Sequence, residues 1–372
     1  AVPLLKPRAP IIGTGLESDL SRNSFLSTYA EGRGEVVFAD AGKVVIRNGE
    51  THKEDVYLLK KFMMSNQETC YNQKVKVSVG NVVKKGTLLA DGPSTEDGEL
   101  ALGTNLKIAY MFWEGYGYED AIVISERLVR EDILSSIQIS KHTVQVLETK
   151  LGPEEITRDI PNVSEESLRN LDESGVVYVG AHVKAGDILV GKIAPKGETE
   201  LSAEERLLRA IFGEKSREVR DNSLRMPHGE SGTVISIEIL DKKDNDELPA
   251  GVIREINVFV AQVRKIVVGD KLGGRHGNKG VISKIVPVED MPMLPDGTHI
   301  DIIISPASVV SRMNIGQLME THLGWCAESL GKKYAIPPFV KFTQGILQDE
   351  LAKAGLPISG KTKLIDGRTG NY

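Results

Sequence analysis

Twelve residues, GDKLGGRHGNKG at 269–280, constrain this chain more than any other stretch. Gly269, Gly273, Gly274, Gly277 and Gly280 are interleaved there with Lys271, Arg275, His276 and Lys279. The preceding INVFVAQVRKIVV (256–268) is β-branched and alternating, and VISKIVPV (281–288) follows in the same style. Both read as strands, so a β framework carries a cationic glycine loop. Glycine lets backbone N–H groups approach a bulky anion, and lysine supplies a compact point charge. Phosphate is the ligand class that suits both. The plain alternative is a hairpin loop whose charges are only solvated. The loop is neither GxxxxGK[ST] nor GxGxxG, so it is not one of the common nucleotide-binding turns.

With 372 residues, the chain has room for two or three domains. Its net charge of −6 gives no global nucleic-acid signal, so any phosphate binding must be local. Six basic residues face one acid, Asp270, between Arg264 and Lys284. Cys70 and Cys326 lie far apart, and no CxxC or Cys/His cluster suggests zinc. A reducing, cytoplasmic setting is expected. No apolar run reaches the roughly 18 residues of a membrane span, and no signal-peptide pattern is seen. The first residues, AVPLLKPRAP, lack an initiator methionine, and the last, DGRTGNY, stop just past a turn. Both ends are expected to be cuts inside a longer protein.

An internal repeat lies upstream. VSVGNVVKKGTLLADG (77–92) and VYVGAHVKAGDILVGK (177–192) share Gly80/Gly180, Val83/Val183, Lys84/Lys184, Gly86/Gly186 and Leu89/Leu189. Each reads as strand, turn, glycine turn and strand. The pattern resembles the barrel-sandwich hybrid hairpins of biotinyl and lipoyl carriers. No MKM tip occurs, so both copies are read as structural. Residues 33–60 predict antiparallel hairpins. Residues 99–113 predict a buried strand, and 114–132 a loop leading into an amphipathic helix. Ser164 predicts a short helix over 165–173. Ser202 and Glu205 form a capping box ahead of Leu207, Leu208, Ile211 and Phe212, an apolar stripe at helical spacing. That stripe either packs on its own domain or is offered to another protein. Residues 296–325 predict a strand, a loop and a helix starting near Asn314. The fold class is mainly β with α (α+β).

Several motifs resemble one family, the second-largest subunit of multisubunit DNA-dependent RNA polymerases, the bacterial β subunit. GDKLGGRHGNKG is similar to its GDK-x-x-x-RHGNKG signature. GYGYEDAIVISE resembles GYNFEDAIVISE, with Gly117 for Asn and Tyr118 for Phe. SPASVVSRMN stands where relatives carry NPLGVPSRMN. SNQETCYNQ, ADGPSTEDGELALG, TKLGPEEITRDIPN, LLRAIFGEKSREV and VEDMP match as well, so the resemblance covers nearly the whole chain.

The resemblance implies a double-psi β-barrel with inserted barrel-sandwich hybrid and flap/wall β modules. It implies a lead-in segment at 1–32, a β hairpin/barrel-sandwich module at 33–98, and the first part of the barrel at 99–145. A flap/wall domain with a flap-tip helix at 203–215 follows at 146–250. The second part of the barrel is 251–322, and a truncated C-terminal segment is 323–372. Lys271 and Lys279 would contact phosphate during nucleotidyl transfer, with Arg275 and His276 on the same loop and Arg312 on the nucleotide triphosphate. His276 is expected to order the loop rather than act as a base. Glu119 and Asp120 would act near the second Mg²⁺ through water; from the residues alone, capping of a following helix is the plainer role. No DFDGD-type loop occurs, so the primary Mg²⁺ ligands would come from the largest (β′) subunit. The implied partners are β′, the α subunits, sigma factor region 4 and elongation factors at Leu207, Leu208, Ile211 and Phe212, template DNA, nascent RNA and nucleoside triphosphates. The implied location is the cytoplasm, on the nucleoid. A non-catalytic module that binds sigma, elongation factors or RNA is the alternative.

Overall fold

The computed structural model describes residues 1–196, 207, 219–242 and 248–372. It is mainly β with a few helices. The chain divides into two compact units, Ala1–Met63 with Thr69–Ile137 and Arg264–Tyr372, and Met64–Glu68 with Gln138–Val263.

At the centre of the first unit is a mixed five-stranded sheet, in the order Ile108–Tyr110, Ile302–Ile304, Ala121–Ser125, Lys279–Val286, Lys271–Gly273. Its outer strands, Ile108–Tyr110 and Lys271–Gly273, are not paired with each other, so this sheet is not closed into a barrel. Ile122, Ile124 and Ile302 face one apolar cluster with Leu128, Ile266 and Ile282. Val123 and Ile303 face another with Ala109, Trp113, Val286 and Met291. A strand covered on both faces has no polar side, so its sequence does not alternate. This corrects the helix expected after residue 120. The run AIVIS (121–125) is a strand, and only Arg127–Arg130 is helical. Glu119 and Asp120 therefore cap no helix. The strand expected over 99–113 is two short ones, Glu99–Leu100 and Ile108–Tyr110. Over 165–173 only a 3₁₀ turn forms, Glu165–Leu168, and Ser164 makes no side-chain cap bond.

The loop expected between 305 and 313 is a seven-residue helix, Pro306–Arg312. Ser305 Oγ accepts the Ala307 N–H at 3.3 Å, Pro306 fills the first helical position, and Met313 ends the helix in the left-handed conformation. Proline is at home there because its missing N–H has no helical partner anyway. The helix Gly316–Leu330 follows and packs through Leu323 and Cys326 on Leu347 and Leu351 of Gln344–Lys353.

The two repeat copies lie one in each unit and are built alike. Gly80 and Gly180 have φ of 88° and 95°, and Gly86 and Gly186 have φ of 84° and 87°. The Gly80 N–H donates to Val36 O at 2.8 Å, and the Gly180 N–H to Val234 O at 2.7 Å. Val83 pairs with Gly34 and Val183 with Gly232. The likeness extends beyond the repeated residues. A Cβ on Gly34 would lie 2.4 Å from Arg47 O, and one on Gly232 2.4 Å from Ala261 O. The register slips two residues past each of these glycines, between Val36 and Phe38 and between Val234 and Ser236. The order differs: the partner strand Gly34–Ala39 precedes the first copy, and Gly232–Asp241 follows the second. The copies are circular permutations of one another.

The second unit is built on a sheet in the order Gly152–Pro153, Ser136–Thr149, Val252–Arg264, Gly232–Asp241, His182–Val183. Its core includes Val177, Leu189, Val190, Ile256 and Val258. Lys192 and Glu154, both buried, pair at 2.9 Å. Lys192 Nζ also donates to Gln145 O, and Glu154 accepts from the Leu147 N–H and Asn222 Nδ2. Such full satisfaction is what a buried ion pair needs.

Candidate functional site

The glycine loop is a hairpin. Lys271 lies opposite Val281, Leu272 opposite Gly280 and Gly273 opposite Lys279. Side chains alternate along a strand and directly paired residues share a face. Lys271 and Lys279 therefore project from the same face, both exposed, while Leu272 on the other face joins the cluster of Ile266 and Ile282. Among the described residues, neither lysine ammonium has an ion-pair or hydrogen-bond partner. Asp270, the only acid of the loop, is occupied in closing its base, where its carboxylate accepts the Val267 N–H at 2.9 Å.

Gly280 joins this hairpin to the acidic loop. A Cβ there would sit 2.0 Å from Asp120 O and 2.9 Å from the Ile122 side chain. The acidic loop is itself unusual, since Glu119 and Asp120 both take positive φ, 47° and 65°. Each such residue costs on the order of 1–3 kcal/mol and is held only by its surroundings. Part of that hold is visible: Arg312 Nη2 donates to Asp120 Oδ2 across 192 residues of sequence. Asp120 and Arg312 are thus brought together, and the hairpin that carries Lys271 and Lys279 meets their loop through Gly280, on the face opposite the two lysines. Ser283 Oγ ties the same region down by donating to Tyr116 O at 2.7 Å, and Lys284 Nζ lies 4.2 Å from the Tyr116 ring centroid.

Arg275 and His276 have a different environment. Both reach one carboxylate, that of Glu320 on the helix Gly316–Leu330. Arg275 Nη2 bonds one oxygen and His276 Nε2 the other. Arg275 Nη1 also donates to Ile12 O, and Asn314 Nδ2 to His276 O at 3.2 Å. The His276 ring lies against Gly316, where a Cβ would come within 2.7 Å of Nδ1. Nearby, Tyr110 OH donates to Gln317 Oε1 at 3.3 Å. Burial pushes the Tyr110 phenol up, and the Glu320 charge adds to the rise.

Glu320, Gly316 and Asn314 are site residues that sequence reasoning missed. An acid on an amphipathic helix reads as a solvated face. The one available clue was the adjacent Arg275–His276 pair, which has no acid of its own to meet. Of the apolar stripe, Leu207 is helical and 63% exposed; Leu208, Ile211 and Phe212 lie outside the described residues. Among the described residues no cluster of three His, Cys, Asp or Glu could hold a metal ion, and no helix is long and apolar enough to cross a membrane.

With this geometry in place, the comparisons are specific. Residues 29–372 match the family described as RNA polymerase Rpb2, domain 6, and the chain belongs to that family. Over 370 residues it is 58% identical to a DNA-directed RNA polymerase subunit beta of Caldicellulosiruptor bescii. It is 57% identical to the one of Caldicellulosiruptor saccharolyticus and 56% to the one of Acetivibrio thermocellus. All of this chain is covered in each case, and it spans 30% of the length of each relative.

Proposed function

We propose that this chain supplies the β-subunit side of the nucleotidyl-transfer centre of a DNA-directed RNA polymerase. The observation that carries the proposal is the junction at Gly280. There a hairpin whose other face carries Lys271 and Lys279, without ion-pair partners among the described residues, meets a strained acidic loop that is pinned by Arg312.

In the reaction a 3′ hydroxyl attacks the α-phosphate of a nucleoside triphosphate and pyrophosphate leaves. Lys271 and Lys279 offset the negative charge carried by the phosphates, an effect that is strongest where water is excluded. Arg312 contacts the triphosphate, and its guanidinium then divides its hydrogen bonds between Asp120 and phosphate oxygens. Glu119 and Asp120 offer two carboxylates, with no third His, Cys, Asp or Glu ligand among the described residues, which suits contact with a Mg²⁺ ion through water. Mg²⁺, when bound, neutralises phosphate charge, and its primary ligands belong to the β′ subunit. Arg275 and His276 shape the loop on the side that faces the RNA–DNA hybrid, the duplex of template DNA and nascent RNA.

In this reading the five-stranded sheet is part of a double-psi barrel, and the second unit belongs to the flap and wall. The exposed Leu207, with Leu208, Ile211 and Phe212, faces sigma region 4 and elongation factors. The complex includes β′ and the α subunits, acts on template DNA, nascent RNA and nucleoside triphosphates, and works in the cytoplasm on the nucleoid. The isolated chain would be inactive. That exposed leucine also favours a second reading, a module that only docks sigma, elongation factors or RNA.

Reconstitution separates the two. The chain would be assembled with the remaining polymerase parts as a split subunit and RNA extension measured on a primed template. Lys271→Ala and Lys279→Ala should each slow extension by ~10²-fold or more without loss of assembly, the scale of lost transition-state charge stabilisation. Unchanged extension in assembled mutants would remove the lysines from the reaction and leave factor docking as the function.

A further inference from the structure

We infer that Glu320 is a positioning residue for nucleotidyl transfer: it fixes the 271–280 hairpin, and through it the two lysines. The inference rests on the proposed function and extends it to a residue that touches no phosphate.

The strands of the hairpin are held by their ladder, Lys271–Gly273 on Lys279–Val281, so it is the tip between them that needs an anchor. Four of its residues between 273 and 280 are glycines, and only Leu272 packs into an apolar cluster. Internal bonds are few: the Gly274 N–H donates to Asn278 O at 3.0 Å and the His276 N–H to Asn278 Oδ1 at 3.3 Å. A glycine-rich turn loses much conformational freedom on ordering. Against that cost stand the Gly280 contact at its base and, at its tip, the bonds of Arg275 to Ile12 O and of Asn314 to His276 O and the two oxygens of Glu320. One bonds Arg275 and the other His276. Gly316, four residues before Glu320 on the same helix face, leaves the notch that the His276 ring occupies.

Charge leads to the same conclusion. Arg275 lies between Lys271 and Lys279 on the hairpin. Paired with Glu320 it adds little field of its own, so the charge offered to phosphate comes from the lysines. Without Glu320, Arg275 would be an uncompensated third cation on the hairpin, with the bond to Ile12 O left to hold it. A donor displaced by about 1 Å can cost about 10²-fold in rate, so a residue that only positions can still be worth an order of magnitude.

The test uses a full-length β subunit carrying this sequence, assembled into polymerase, with extension rates measured against nucleotide concentration. Glu320→Ala should lower the rate at saturating nucleotide about tenfold with normal assembly, and Glu320→Gln should lower it less. Gly316→Ala, which displaces the His276 ring but keeps the carboxylate, should act in the same direction. The deciding measurement is a double-mutant cycle. In a Lys279→Ala background Glu320→Ala should cost less than about twofold, because residues acting through one another are not additive. A full additional loss in that background, or a parental rate in Glu320→Ala, overturns the inference while leaving the proposed function standing. Lysine variants that extend at the parental rate overturn both. If Glu320→Ala does not assemble, Glu320→Gln in the same cycle decides.

Discussion

At position 280 the space for a side chain is already filled by the Asp120 carbonyl oxygen, 2.0 Å from where a Cβ would stand. Gly277, three residues earlier, has φ of 74° and nothing within 4 Å of a Cβ. The two glycines therefore serve different needs, one for room and the other for backbone freedom. Gly277→Ala should cost about 1 kcal/mol of strain and leave extension by the assembled polymerase within a few fold of parent. Gly280→Ala must push the hairpin and the acidic loop apart, and should slow extension by ~10²-fold. Extension rates of the two variants side by side check this. Equal effects would mean that the junction does not matter. The same distinction explains what the sequence revealed at this scale. Lys271, Lys279, Glu119, Asp120 and Arg312 became candidates because their residue types and local order carry the resemblance. Glu320 did not, because its partners lie 44 and 45 residues away and helical spacing alone leaves a glutamate looking solvated.

Elements were legible where one face is wet. The hairpins of 33–60 alternate and were expected; the strands Gly34–Ala39, Lys43–Asn48 and Glu54–Leu58 form them. Of the central strands, Ile108–Tyr110, Lys279–Val286 and Ile302–Ile304 fall where strands were expected, whereas Ala121–Ser125 was read as helix, because burial on both faces removes the period of two and leaves an apolar run that fits either element. The repeat was legible through its glycines, whereas its permuted order was not, since the partner strands share little beyond a glycine and a valine. That shared geometry makes a paired prediction. Gly80→Ala and Gly180→Ala meet no atom within 4 Å but require positive φ, so each should cost about 1 kcal/mol. Gly34→Ala and Gly232→Ala each meet a carbonyl oxygen at 2.4 Å and should cost more, about 2–4 kcal/mol, as overpacked or distorted sites do. Denaturant unfolding of the four variants should give the same order in both copies. A different order in one copy would mean that the two modules are not equivalent.

Across the molecule, every carboxyl group with a displaced pKa among the described residues is displaced downward, from Glu17 near the start to Asp366 near the end. For Glu154 burial pushes the carboxyl up, and Lys192, the Leu147 N–H and Asn222 outweigh it. Groups held below their unfolded value contribute stability that is present above that value and lost as pH falls through the folded one. Melting temperature should therefore fall steadily below about pH 4, and His142, whose imidazole burial holds below its ordinary value, should add a smaller decline that begins as pH drops through about 6.5. Lys192→Met, which strands the Glu154 charge, should destabilise by ~3–5 kcal/mol at neutral pH and flatten the acid limb. An unchanged limb in that variant would show that the pair is not its source. The permuted order of the copies has a consequence for synthesis as well. When the first copy leaves the ribosome its partner strand has already emerged, so it folds onto a template that is waiting. The second must wait for about 50 more residues, from Val183 to Gly232, or roughly 2–10 s at about 5–20 residues per second. For that interval His182 and Val183 form an edge with no strand to cover it, and the nascent chain is then most open to capture by a chaperone or by its neighbours.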